Sequence, residues 1–141
     1  MRFLVSKADI LRKCRVFTLD EMRAYLEEST GRTLTAAQAD KLLRDTLPKE
    51  SYFQSAILRW LKENYPAAFV WKVQTGPYAR KGLPDICAII DGRFYGFEVK
   101  RPFVGRLSRI QQSTMEAIEK AGGRAGVVTW PDDARKLIEN K

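Results

Sequence analysis

The sequence predicts an α/β fold: a mixed sheet of about four strands flanked by helices, with a helical segment ahead of it. Three observations point there. Asp91-Gly92 separates two apolar runs, which is a strong two-residue hairpin signal. Stretches with helical periodicity stand before the first strand pattern and after the hairpin. The first 47 residues carry three helix-start signatures and no alternating pattern.

Those three starts are Ser6 with Asp9, Thr18 with Glu21, and Thr35 with Gln38. Each is a small hydroxyl residue followed three positions later by a residue that can return a hydrogen bond. Val5 with Ile10, and Phe17 with Met22, sit where hydrophobic staples belong. Helices are therefore expected over 7–14, 19–29 and 36–46, with Gly31 ending the second. Each is too short to stand alone and must pack.

From Pro48 the pattern changes. A helix over 49–64 places Phe53, Ile57, Trp60 and Leu61 on one stripe, and Pro66 ends it. Strands follow at 69–73, 85–90 and 93–100, then a helix at 109–121 closed by Gly122-Gly123, a strand at 125–129, and a helix opened by Pro131. Residues 1–47 thus read as a helical extension and 48–141 as one α/β domain. Trp60, Trp71 and Trp130 read as core or core-edge residues.

Composition narrows the chemistry. The 141 residues contain no histidine, which removes histidine general bases, Ser-His-Asp triads and histidine-bound zinc together. Cys14 and Cys87 have no partners at metal-ligand spacing, so a disulfide framework is not expected and a cytoplasmic location is. No apolar run has the length of a membrane span, and the N-terminus lacks a signal-peptide apolar core. The net charge of +8 points to a polyanionic partner. From Lys72 to Gln112 there are eight basic residues against the acids Asp85, Asp91 and Glu98, so the charge is concentrated around two of the few acids.

The hairpin fixes a register. With Asp91 and Gly92 as the loop, Ile90 pairs with Arg93 and Asp85 falls opposite Glu98. Opposed residues share a face with Cβ atoms about 4.5–5.5 Å apart, and Lys100, two residues on, points the same way. Both faces are otherwise apolar, so helices are expected to cover both. Two opposed carboxylates at the end of such a face repel one another. A divalent cation resolves the conflict, and oxygen ligands suit Mg2+ or Mn2+. Lys100 alone, or strand ends frayed into water, would also relieve it.

Gly82-Leu83-Pro84-Asp85, then Phe97-Glu98-Val99-Lys100-Arg101-Pro102, then Gly105 to Gln111 before a helix, resembles the VRR-Nuc (virus-type replication-repair) branch of the PD-(D/E)xK nucleases. The resemblance spans about residues 50 to 130. It implies a restriction-endonuclease-like core and a Mg2+- or Mn2+-dependent endonuclease acting on DNA, with branched forms such as the Holliday junction among its substrates, and it suggests a phage origin. Asp85, Glu98 and the Val99 carbonyl would bind metal, and Lys100 would assist the nucleophile. Glu50 would support the metal and Gln111 the active site. Small free-standing members of that family are expected to be homodimers. The segment 1–47 departs from the pattern and would replace, build or block the dimer surface.

Two of these positions have a second reading. Glu50 extends the stripe of Phe53 and Ile57, yet an acid in a first helical turn needs no site to explain it, and a Ser51–Gln54 cap would leave it outside the helix. Gln111 begins the stripe through Thr114, Met115 and Ile118, yet it also completes a capping box with Ser108. Gln112 is the alternative if the alignment moves by one residue. Lys72, Tyr78, Arg80 and Lys81 on one side, and Arg101, Arg106 and Arg109 on the other, could hold a phosphodiester backbone, with Tyr78 stacking on a base. A non-catalytic nucleic-acid-binding module on the same fold is the competing reading. An adaptor using the N-terminal helices as a partner surface is a third, which the basic charge disfavours.

Overall fold

A computed structural model describes residues 6–140 of the chain. Val5, one half of the first expected staple, lies outside them. The chain divides into two compact units: the described residues up to Lys49 together with Arg101–Gly105, and Glu50–Lys100 together with the residues from Arg106 onward.

In the first unit, helix α1 is Lys7–Val16, α2 is Leu19–Thr30 and α3 is Ala36–Thr46. The expected caps form. The Ser6 side chain accepts from the Asp9 N–H, and Thr18–Glu21 and Thr35–Gln38 form reciprocal capping boxes. Gly31 ends α2 in the left-handed region, where a side chain would be strained. The Leu34 N–H beyond this turn is taken up by the Glu27 carboxylate at 3.2 Å. Ile10, Cys14, Met22, Leu26, Ala39, Leu43 and Leu47 are buried. Pro102 and Val104 are buried as well, and Arg101 Nη1 donates to the Arg44 carbonyl at 2.9 Å.

The second unit contains α4 (Glu50–Asn64), β1 (Phe69–Lys72), β2 (Ile86–Ile90), β3 (Arg93–Val99), α5 (Arg109–Lys120), β4 (Arg124–Val128) and α6 (Pro131–Glu139). The strands form one sheet in the order β1-β2-β3-β4, with the first two pairings antiparallel and the third parallel. Parallel β3 and β4 need a crossover, and α5 supplies it. Asp91 and Gly92 both have positive φ, at 51° and 79°, the geometry of a type I′ hairpin turn. The ladder then runs from Ile90 opposite Arg93 to Ile86 opposite Phe97, so Asp85 and Glu98 are the next pair beyond its end.

One face of the sheet carries Ile86, Ala88, Ile90, Tyr95, Phe97, Val99 and Val128, all buried. Helices α4 and α6 pack on it. Phe53, Ile57 and Leu61 of α4 are buried, and the missing side chain of Gly126 leaves room for Leu137 of α6, 3.3 Å from where a Cβ would stand.

The other face departs from the expectation of full cover. Among the described residues α5 is the one helix on it, and α5 has no buried residue. Phe69, Ile89 and Val127 on this face are 68%, 43% and 46% exposed. The reason is geometric. Four strands about 4.8 Å apart span more than one helix of ~10 Å diameter can cover.

Candidate active site

The site lies at the end of the β2–β3 ladder and belongs wholly to the second unit. Asp85 is positioned by backbone on both sides. Its carbonyl accepts from the Val73 N–H at 2.9 Å, and its Oδ2 accepts from the Val99 N–H at 2.8 Å. The carboxylate therefore occupies the place where a further ladder bond would form.

The residues before Asp85 explain the Gly-Leu-Pro-Asp run. Gly82 has φ 83° and packs against α5: a Cβ there would collide with the Ile110 side chain and stand 3.0 Å from the Ile110 carbonyl oxygen and from Thr114 Oγ1. Pro84 lies across Gly96, whose Cβ would be 2.7 Å from the proline ring. Two glycines thus admit the loop that delivers Asp85. Gly96→Ala is expected to destabilise the protein by about 1–3 kcal/mol, because a rigid ring must move. A urea unfolding midpoint equal to wild type would overturn this.

Glu98 is only 1% exposed. Its Oε1 accepts from Gln111 Nε2 at 2.7 Å and faces Lys100 Nζ at 3.4 Å. Its Oε2 is buried with no hydrogen-bond partner among the described residues. A buried carboxylate oxygen left unpartnered is costly and calls for an explanation. Burial first, and then the neighbouring Asp85 carboxylate, push the Glu98 carboxyl from 4.5 up to about 8; Lys100 pulls the other way.

Glu50 joins this pair. One carboxylate oxygen each from Glu50, Asp85 and Glu98 lie within 4.8 Å of one another. Glu50 is the first residue of α4, so the Ser51 cap does not form around it, and Gln54 Nε2 reaches its Oε1 at 3.4 Å. The fit to a cation rests on this donor set: three convergent carboxylates, one with an orphaned buried oxygen, and no nitrogen or sulfur ligand. Hard oxygen donors of this kind suit Mg2+ or Mn2+. Cys87 adds no thiolate, since burial and, secondarily, the Asp85 charge push its thiol up to about 11.

Gln111 carries both of its readings at once. Its Oε1 accepts from the Ser108 N–H at 2.9 Å, closing the capping box that starts α5, while its Nε2 binds Glu98. The cap holds the side chain where it meets the carboxylate. Gln112 is exposed and lines a different hollow, with Leu107 and Met115.

The basic residues sort differently. Lys72, Arg80 and Lys81 are exposed, and Tyr78 is fully so. Arg80 and Lys81 line a hollow of about 270 Å3 that reaches Asp85 and Gln111. Arg106 and Arg109 are exposed. Arg101 is half-buried and donates from Nη1 to the Arg44 carbonyl. Sequence reasoning missed Gly82, Pro84 and Gly96 as builders of the site; only the close approaches around them show that role.

Fold and site together define an α/β core built on a mixed four-stranded sheet, with an acid-and-lysine cluster at the open end of its central hairpin. The chain is similar to a solved structure described as a VRR_NUC domain, at 26% identity and a TM-score of 0.48, over 60% of this chain and 92% of that one. No family model matches the chain, and no curated protein matches it. None of the helices among the described residues is long and apolar enough to cross a membrane.

Proposed function

We propose that the chain is a divalent-metal-dependent DNA endonuclease of the VRR-Nuc kind, using Mg2+ or Mn2+. The convergence of the Glu50, Asp85 and Glu98 carboxylates around a buried oxygen without a partner carries this reading. Binding DNA alone gives no reason to set acids against each other in a basic protein. A cation in this cluster supplies Lewis-acid stabilisation of charge on the phosphoryl group.

Asp85, Glu98 and Glu50 would hold it, joined by the Val99 carbonyl. Lys100, beside Glu98, orients the attacking water or meets the charge that builds on the phosphate. Gln111 fixes the rotamer of Glu98. Water gives up a proton as its oxygen bonds to phosphorus, the bond to one bridging oxygen breaks, and that oxygen leaves with the strand end and takes up a proton as a hydroxyl. Arg80 and Lys81 hold the backbone on the loop side, with Lys72 and Tyr78 beyond them, and Arg106 and Arg109 serve the segment before α5. Cutting both strands of a branch requires two such sites, which a homodimer supplies.

A cleavage assay on branched, flap and linear DNA tests the reading. Cutting with Mg2+ or Mn2+ is expected, together with complete loss in excess EDTA and recovery on adding metal back. Binding without cutting of any of the three would favour a non-catalytic module. Cutting that persists in EDTA would remove the cation.

A further inference from the structure

The face of the sheet that α5 leaves partly open holds a second hollow. It has a volume of about 420 Å3 and is lined by Trp71, Phe94, Cys87 and Ile118, among others. Trp71 and Phe94 are half-buried and lie 6.2 Å apart between ring centroids. Phe69, 68% exposed, continues the aromatic surface along β1, with its ring 5.3 Å from that of Trp71. Trp71 takes the core-edge place its sequence context suggests, with its ring lining this hollow.

This hollow stands next to the one that reaches the carboxylates. Val73, Arg80, Leu83 and Pro84 line both. On one side of this shared wall stand Asp85 and Gln111, and on the other Trp71 and Phe94. Arg80, on the wall, is exposed, and no acid lines the aromatic hollow. An apolar trough thus begins beside the place where a phosphate would be held, with a cation at the junction.

We propose that this aromatic hollow binds an unpaired nucleobase adjoining the phosphate at the carboxylate cluster. This rests on the nuclease reading and names the substrate class: DNA with unpaired nucleotides at the point of cutting. The charge pattern favours a nucleotide as occupant, because a phosphate at Arg80 and a base on Trp71 are joined covalently in one ligand. A base within a duplex is already stacked and must first be extruded, which costs a few kcal/mol. A base in a flap or gap is free to enter. Thr114 Oγ1 donates to the Ile110 carbonyl, so the lining offers little to read a base edge, and recognition by stacking is tolerant of sequence.

Ala117 and Ala121 line the hollow from α5 and are themselves exposed, so a larger side chain there fills it without opening the core. Binding is measured by fluorescence anisotropy in EDTA, with labelled oligothymidylate and with a blunt duplex. Ala117→Phe is expected to weaken oligothymidylate binding about 5- to 150-fold, the range for one stacked base, and to leave duplex binding unchanged. Trp71→Leu should act in the same direction. An unchanged oligothymidylate affinity in both variants, or an equal loss on both ligands, would overturn the proposal. So would a change in oligomeric mass on Ala117→Phe, which would assign the hollow to a second copy of the chain. Because no cutting is needed, failure of the wild type to cleave DNA would count against the nuclease reading and leave this result standing.

Discussion

Lys100→Ala is expected to lower the cleavage rate about 10²- to 10⁴-fold, the usual range for a lost acid–base or charge-stabilising group, while DNA affinity stays close to wild type. The reason lies in how Lys100 is held. Its backbone N–H donates to the Val128 carbonyl at 3.0 Å and its carbonyl accepts from Thr129 Oγ1 at 2.9 Å, so the strand position survives the truncation. The ammonium, 3.4 Å from Glu98 Oε1, is removed together with its aliphatic stem. On the proposed reading, Arg80, Lys81, Arg106 and Arg109 would still hold the phosphodiester backbone. Single-turnover cleavage alongside equilibrium binding separates the two effects. Equal cutting by variant and wild type would take Lys100 out of the mechanism, and a parallel loss of binding would recast it as a phosphate ligand.

Glu98→Gln is expected to abolish cleavage and to make the metal-free protein more stable at high pH. The buried carboxyl titrates near 8 in the folded protein and at the ordinary 4.5 when unfolded. Between those values the folded state holds a proton that the unfolded chain has released. Stability therefore falls as pH rises from about 4.5 to 8, and the penalty is complete above 8. Glutamine keeps the shape and carries no such titration. The melting temperature of the wild type should decline across this window and that of the variant should not. Mg2+ should restore the wild type most at the alkaline end, where cation and proton no longer compete. Wild-type and variant curves of equal slope would show that Glu98 is not the titrating group, and absence of any Mg2+ effect on the wild type would count against the cation site.

Much of the fold is legible in local sequence because its signals are local. The capping boxes at Thr18, Thr35 and Ser108 each mark the first residue of a helix. The Asp91-Gly92 turn sets the β2–β3 register, and that register alone places Asp85 opposite Glu98. The incomplete cover on one side of the sheet was not legible. Periodicity shows that Phe69, Ile89 and Val127 are apolar, but not that one helix must serve four strands.

Glu50 and Gln111 mark the same boundary within the site. Each had a local explanation, an acid in a first turn and a cap. Spacing could not tell whether Glu50 faces Asp85 across some 35 residues of intervening chain, or whether Gln111 caps or coordinates. The structure brings the Glu50 carboxylate to the others and lets Gln111 do both.

By itself, then, the sequence determined the helix starts, the hairpin register and the pairing of two acids with a lysine, since each follows from residues within about twenty positions of one another. The tertiary structure decided the third carboxylate, the buried oxygen of Glu98 without a partner, and the close packing of Pro84 on Gly96. Those depend on α4, the loop and α5 arriving at one end of the sheet, and such long-range approaches leave no periodic trace in the chain.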